Sequence, residues 1–174
     1  MITAGKFCQI NITVRSPRSA QASWCMLRQS KKDEKMADTN EPYWNRMVHE
    51  LTVTDLPASL SFYTDVLGFS VMIRRTEPEF AYINLGEAQM MLEQYHSGGW
   101  NTAELTTPLG RGVNFQIEVD DIEQIFARVN AHSVTLYRGL SDNHYNTGET
   151  TACQREFLVQ DPDGYLLRFS QYIE

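Results

Sequence analysis

A strand followed by an aspartate-opened helix occurs twice in this chain, and that repetition restricts the fold more than any other feature. The first copy runs as a strand over 48–53, then Thr54-Asp55-Leu56-Pro57 opening a helix over 58–66, closed by Leu67-Gly68-Phe69. The second runs as a strand over 113–119, then Asp120-Asp121 opening a helix over 122–130. Thr54, Asp55 and Asp121 are side chains that cap free backbone N–H groups, Pro57 suits a first helical turn, and Gly68 suits the left-handed residue after a helix. Leu60, Phe62, Tyr63 and Val66 give the first helix an apolar stripe, and Ile122, Ile125, Phe126 and Val129 do so for the second.

Strand-like segments follow each helix, at 69–74, 80–85 and 89–95 in the first copy and at 134–137, 156–159 and 165–171 in the second. Each half therefore reads βαβββ, an α+β arrangement whose helices cover one side of the sheet. The last two strands flank Asp161-Pro162-Asp163-Gly164, where proline fixes φ, aspartate bonds its own backbone and glycine takes positive φ, so they form a hairpin. Period-two alternation then puts Tyr165, Leu167 and Phe169 on one face and Leu166, Arg168 and Ser170 on the other. Arg168 is a fixed charge on a strand face, which requires a reason.

Composition limits the function. The 174 residues are 42% hydrophobic and 21% charged, enough for one substantial core, and no apolar run reaches the roughly 18 residues of a membrane span. A formal net charge of −7 argues against a nucleic-acid partner. Cys8, Cys25 and Cys153 are scattered and odd in number, which indicates a reducing, cytoplasmic setting without a disulfide framework; Cys153 has no evident His partner and reads as inert. Residues 1–35 hold seven basic and two acidic side chains, a charge of +5, so the remaining 139 residues carry −12 and contain no lysine. This basic extension is expected to lie outside the domain formed by 36–174, with a stray strand over 10–14 at most. It reads either as an Arg- and Ser-rich targeting peptide or as a stretch upstream of a natural start at Met36.

The motifs Val53-Thr54-Asp55-Leu56, Ser59-Leu60-Ser61-Phe62-Tyr63, Val66-Leu67-Gly68-Phe69, Val119-Asp120-Asp121-Ile122 and Asp161-Pro162-Asp163-Gly164 together resemble the vicinal oxygen chelate superfamily. That superfamily includes glyoxalase I, extradiol dioxygenases and the bleomycin and fosfomycin resistance proteins. The resemblance spans about 47–173 and implies two modules, about 47–96 and 112–173, whose mixed sheets curl around a cavity with helices outside, usually in a homodimer. Metal-using members take one ligand, usually His, seven residues before the helix-opening Asp and another, usually Glu, on the last strand of each module. Those positions here are Val48, Asn114, Glu93 and Arg168. One carboxylate beside a guanidinium is not a divalent-metal site, and Arg168 is expected to pair with Glu93 instead. No cofactor is expected. A register slip would be needed to bring His49 in, and it would send the ring toward the helices.

Alternation within the strands assigns the cavity lining. Phe115 and Ile117 turn to the helices, leaving Asn114, Gln116 and Glu118 on the open side together with Glu50, Thr52, Met91, Glu93, Leu166 and Arg168. Three carboxylates against one guanidinium favour a cationic ligand, and Tyr95, Trp100, Tyr137 and Tyr145 are candidate stacking surfaces, with Trp100 on the flexible Ser97-Gly98-Gly99 loop. His96, His132 and His144 fall in loops or helix ends, where surface placement is expected, although His144 beside Tyr145 is within range of a ligand. Within the superfamily the pattern looks most like bleomycin-resistance-type members, which implies metal-free sequestration of a cationic glycopeptide antibiotic at a homodimer interface. The alternative is a lyase, isomerase or dioxygenase acting on a small oxygenated substrate, with Glu93 or Glu118 as base and Arg168 holding an oxyanion.

Overall fold

In the first module β1 (His49–Val53) leads through the cap residue Asp55 into α1 (Leu56–Ser61), which runs on as a π-helical turn (Phe62–Val66), followed by β2 (Ser70–Thr76), β3 (Glu79–Leu85) and β4 (Ala88–Gln94). The second module repeats the order with β5 (Asn114–Glu118), α2 (Ile122–Ala131), β6 (Leu136–Asn146), β7 (Thr151–Gln160) and β8 (Leu166–Ile173). The structure is a computed structural model and describes residues 43–148 and 150–173. The basic extension, the strand expected over 10–14, Cys8 and Cys25 lie outside the described residues. Both modules fall within one compact unit, Trp44–Glu174.

The α+β expectation and the paired βαβββ modules hold. The described strands divide into two four-stranded mixed sheets, ordered β1-β4-β3-β2 and β5-β8-β7-β6, with the first-strand pairings, β1 with β4 and β5 with β8, parallel and the others antiparallel. Each helix start is satisfied twice. Asp55 accepts from the Ala58 N–H at 2.9 Å and Asp121 from the Gln124 N–H at 3.2 Å. A glutamine on each closing strand completes the set: Gln94 accepts from the Leu56 N–H and donates to the Thr54 carbonyl, while Gln171 accepts from the Ile122 N–H and donates to the Asp120 carbonyl.

One face of each sheet turns inward. Leu51, Val53, Ala81, Ile83 and Leu92 from the first module and Ile117, Phe157, Val159, Leu167 and Phe169 from the second join the helix stripes in one continuous core. The Asp-Pro-Asp-Gly turn fastens the second module to the first. Asp163 accepts from the Thr54 N–H at 3.0 Å and from the hydroxyls of Thr54 and Ser59, and Asp161 accepts from the Tyr63 hydroxyl at 2.9 Å. Burial raises the Asp161 carboxyl to about 6, against the opposing hydrogen bonds it accepts. From the other side Arg128 on α2 donates to the carbonyls of Thr64, Asp65 and Val66 at the end of the π-helical turn. Gly164 sits at φ +93 with room for nothing more, since a Cβ there would stand 2.3 Å from Pro108 Cβ.

The main departure from the expected strands is the β6–β7 hairpin, which extends well beyond 134–137 and 156–159. Ser141-Asp142-Asn143-His144 is polar and rich in turn formers, so propensity hides it; cross-strand pairs hold it open as strand. Arg155 grips Asp142 through both carboxylate oxygens at 2.7 and 3.0 Å and reaches Glu123 on α2 at 3.1 Å.

Candidate functional site

The face of each sheet turned away from the core carries the polar side chains predicted for the cavity. On the first sheet, register sets Glu50, Met91 and Tyr82 in one row and Thr52, Glu93, Phe80 and Arg75 in the next. Glu93 Oε1 lies 3.1 Å from His96 Nε2, and its other oxygen is 4.0 Å from Arg75, whose guanidinium stands 4.0 Å above the Phe80 ring. The Glu50 carboxyl is raised, first by burial and then by the charge of Glu93, with Arg75 opposing. The loop after β4 is tied back to this face through His96 and through Thr52, whose hydroxyl donates to Asn101 Oδ1 at 3.1 Å. Trp100 stands between those ties with its indole 93% exposed.

On the second sheet a polar network covers the open face. Arg168 donates to Gln116 Oε1, and Gln116 donates in turn to Gln154 and Ser170 at 3.2 and 3.1 Å. Arg168 Nη1 lies 3.6 Å from Glu156 Oε1. The second Glu156 oxygen accepts from the Tyr145 hydroxyl at 2.6 Å and from Asn143 at 2.9 Å. The Tyr145 phenol is raised, chiefly because it donates to that carboxylate. Glu156 is 2% exposed, yet its Oε1 and the buried Nε of Arg168 have no hydrogen-bond partner among the described residues. Tyr137, Asn114 and Leu166 border a cavity of about 340 Å³, while Glu118 pairs in register with Ser170.

Several expectations need correction. Arg168 does not pair with Glu93: the two lie in different sheets, and the buried Glu156 takes the guanidinium. Register also shows that Glu93 is not the counterpart of Arg168. Gln116 pairs with Arg168 as Glu50 pairs with Met91, so the repeat-equivalent position is Met91. The four positions that hold metal ligands in metal-using members are therefore Val48, Met91, Asn114 and Arg168, and these residues do not fit a divalent metal. Among the described residues no three His, Cys, Asp or Glu side chains gather as a metal needs. His49 turns from the open face and packs edge-on to Phe115, ring centroids 4.8 Å apart. Cys153 does have a histidine neighbour, since His144 pairs with it across β6 and β7 with Sγ 4.0 Å from Nε2. That pairing also turns His144 away from Tyr145 and the open face.

Counting Arg75 and Glu156 with the lining gives four carboxylates against two guanidiniums, so the predicted excess of carboxylates persists. Sequence reasoning missed Glu156, Arg75, His96, Tyr82 and Trp44. Glu156 had a usable signal: Phe157 and Val159 are core residues, so alternation puts Glu156 and Leu158 on the open face. His96 and Trp44 had none, because loop and terminal segments carry no period.

Two βαβββ modules, joined through a shared core and each presenting an open polar face, define a paired-module fold of the vicinal-oxygen-chelate class. The family model for the Glyoxalase/Bleomycin resistance protein/Dioxygenase superfamily matches residues 45–169, and the chain belongs to that superfamily. It is similar to a bleomycin resistance protein of Geobacillus stearothermophilus, 28% identical over 71% of this chain and 94% of that one. It is also similar to a lactoylglutathione lyase of Neisseria meningitidis, 29% identical over 72% of this chain and 90% of that one. Among solved structures, a virulence protein of Salmonella typhimurium shares the fold, with a TM-score of 0.57 and 24% identity over 76% of this chain and all of the other.

Proposed function

We propose that this protein is a metal-free binding protein of the bleomycin-resistance type, sequestering a cationic, partly aromatic glycopeptide antibiotic in clefts between two copies of the chain. The observation that carries the reading is the replacement of the metal-ligand positions by Val48, Met91, Asn114 and an arginine already engaged by Glu156 and Gln116. Glu50 and Glu93 supply the attraction for a cation, and Tyr137, Tyr145 and Trp100 supply exposed ring surface. The name of the Geobacillus relative is in keeping with this.

The second reading is a lyase or isomerase acting on a small oxygenated substrate. It draws on the Neisseria relative and on the raised Glu50 carboxyl, which suits a general base better than an ordinary exposed glutamate does. Against it stands Arg168, whose charge is already matched by Glu156 and is not free to hold an oxyanion.

Calorimetric titration with metal-free bleomycin, beside elemental analysis and sedimentation of the isolated protein, tests the first reading. The expected result is a dimer that binds one or two drugs without stoichiometric metal. Glu50→Gln with Glu93→Gln is expected to weaken binding about tenfold, the scale of one 1.4 kcal/mol interaction. Absence of drug binding, together with bound metal and lactoylglutathione turnover, would replace it with the second.

A further inference from the structure

The internal repeat allows each module to be read against the other. Aligning the cap residues Asp55 and Asp121 sets Trp44 against Gly110 and Val48 against Asn114. Strand register sets Tyr82 against Leu158, Asn84 against Gln160, and Gln89 against Leu166.

In the first module the chain itself fills this corner of the open face. The Trp44 indole stands edge-on to Tyr82, with ring centroids 5.1 Å apart at 88°. Its position is fixed by Asn45, whose backbone N–H donates to Gln89 Oε1 at 2.8 Å and whose side chain donates to the Glu87 carbonyl at 2.6 Å. The Tyr82 hydroxyl donates to the same Gln89 oxygen at 2.8 Å. Beneath this cover Tyr82 is 8% exposed and Gln89 7%.

In the second module the corresponding corner is the cavity of about 340 Å³, bordered by Gly110, Val113, Asn114, Tyr137, Gln160 and Leu166. Gly110 cannot supply a ring of its own, because a Cβ at that position would lie 2.7 Å from the Tyr165 ring. Where the first module has the polar Gln89, the second has Leu166, and Val113 and Pro108 add further apolar wall. Asn114 and Gln160 put amides at the edge, and Tyr137 is 64% exposed there. A cavity of this size, with Leu166, Val113 and Pro108 in its wall and a few polar groups, suits one planar ring system.

We propose that the second-module cavity receives a planar aromatic group of the ligand, in the place that Trp44 takes in the first module. The inference rests on the binding-protein reading and names the part of the ligand this corner takes. Tyr137 offers its face to the ring, Leu166 and Val113 contact its edge, and the two amides meet a ring nitrogen or substituent.

The probe is indole, titrated into the full chain with its methyl groups observed by NMR. Saturable ring-current shifts are expected at Val113 and Leu166, with Val48, the counterpart of Asn114, unmoved because Trp44 holds that corner of the first module. Leu166→Trp fills the cavity and is expected to weaken indole at least tenfold. Tyr137→Ala, at an exposed position that folding does not depend on, is expected to weaken it about threefold. Trp44→Ala is expected to open that corner of the first module, so that Val48 now shifts as well. Shifts that persist unchanged in both cavity variants, or none at Val113 and Leu166, overturn the proposal. If indole seats there but bleomycin does not bind, the cavity assignment stands and the antibiotic reading falls. If bleomycin binds and indole leaves Val113 and Leu166 unmoved, the assignment falls and the binding reading stands.

Discussion

In the first module the acid of the open-face ion pair, Glu93, comes from the closing strand and its arginine, Arg75, from the edge strand; in the second the closing strand supplies Arg168 and its neighbour β7 supplies Glu156. The strand order repeats, but the two pairs do not occupy equivalent positions, since register sets Met91 against Arg168 and Glu93 against Ser170. The surroundings differ too. The side chains of Arg75 and Glu93 are 50% and 17% exposed, whereas those of Arg168 and Glu156 are 29% and 3% exposed and lie within a network of glutamines, Asn143 and Tyr145. Charge on a solvated face is weakly coupled and free to meet a ligand, while charge sunk among amides is committed to structure. Under the proposed function, the first module would supply electrostatic attraction and the second shape and hydrogen bonding.

The connecting turns differ more strongly than the faces. Gly86, in the β3–β4 turn, has φ +58 and open space around the position a Cβ would take, whereas Gly164 in the β7–β8 turn combines φ +93 with a 2.3 Å clash. Gly164→Ala is expected to cost about 4 kcal/mol and Gly86→Ala about 1, the difference being overpacking added to backbone strain. Equal shifts in urea midpoint would break the contrast between a latched and an unlatched turn.

The latch also carries a pH signature. The folded Asp161 carboxyl at about 6 lies above its ordinary 3.8, so the fold holds this proton more tightly than the unfolded chain. Its contribution is fully present below about pH 4 and is lost as pH rises through 6, amounting to about 3 kcal/mol. Asp161→Asn removes the titration. The stability of the wild type relative to this variant is expected to fall by about 3 kcal/mol between pH 4 and pH 7.5, and a difference that does not change with pH would show that burial does not perturb this group.

The two ion pairs supply the smallest effects. Glu156→Gln is expected to destabilise by about 2 kcal/mol, because it leaves Arg168 partly buried without its counter-charge. Glu93→Gln is expected to cost no more than about 1 kcal/mol, because its arginine is half exposed and stands 4.0 Å away. Thermal melts of both variants at one salt concentration check this, and adding salt should narrow only the Glu93 effect.

The repeat, the caps and the core faces were legible in the sequence because each depends on local chemistry. Asp55 and Asp121 cap where they stand, and Leu167 and Phe169 are core by alternation alone. The open-face residues Glu50, Gln116, Glu118 and Arg168 followed from the same period. Ion-pair partners did not follow, since Arg168 meets Glu156 only through the β7–β8 register, and the Met91 correspondence needed the pairing of β1 with β4. The long β6–β7 hairpin was hidden by its polar composition. Trp44 and His96 lie outside any period, and nothing local indicates that one covers Tyr82 and the other reaches Glu93.

Sequence alone thus determined which faces are apolar, where helices begin and which turn must hold glycine, because those depend on neighbours within a few residues along the chain. Tertiary structure alone decided which charges neutralise each other, which corner Trp44 closes and where a cavity is left, because those depend on residues that only strand register and module packing bring together.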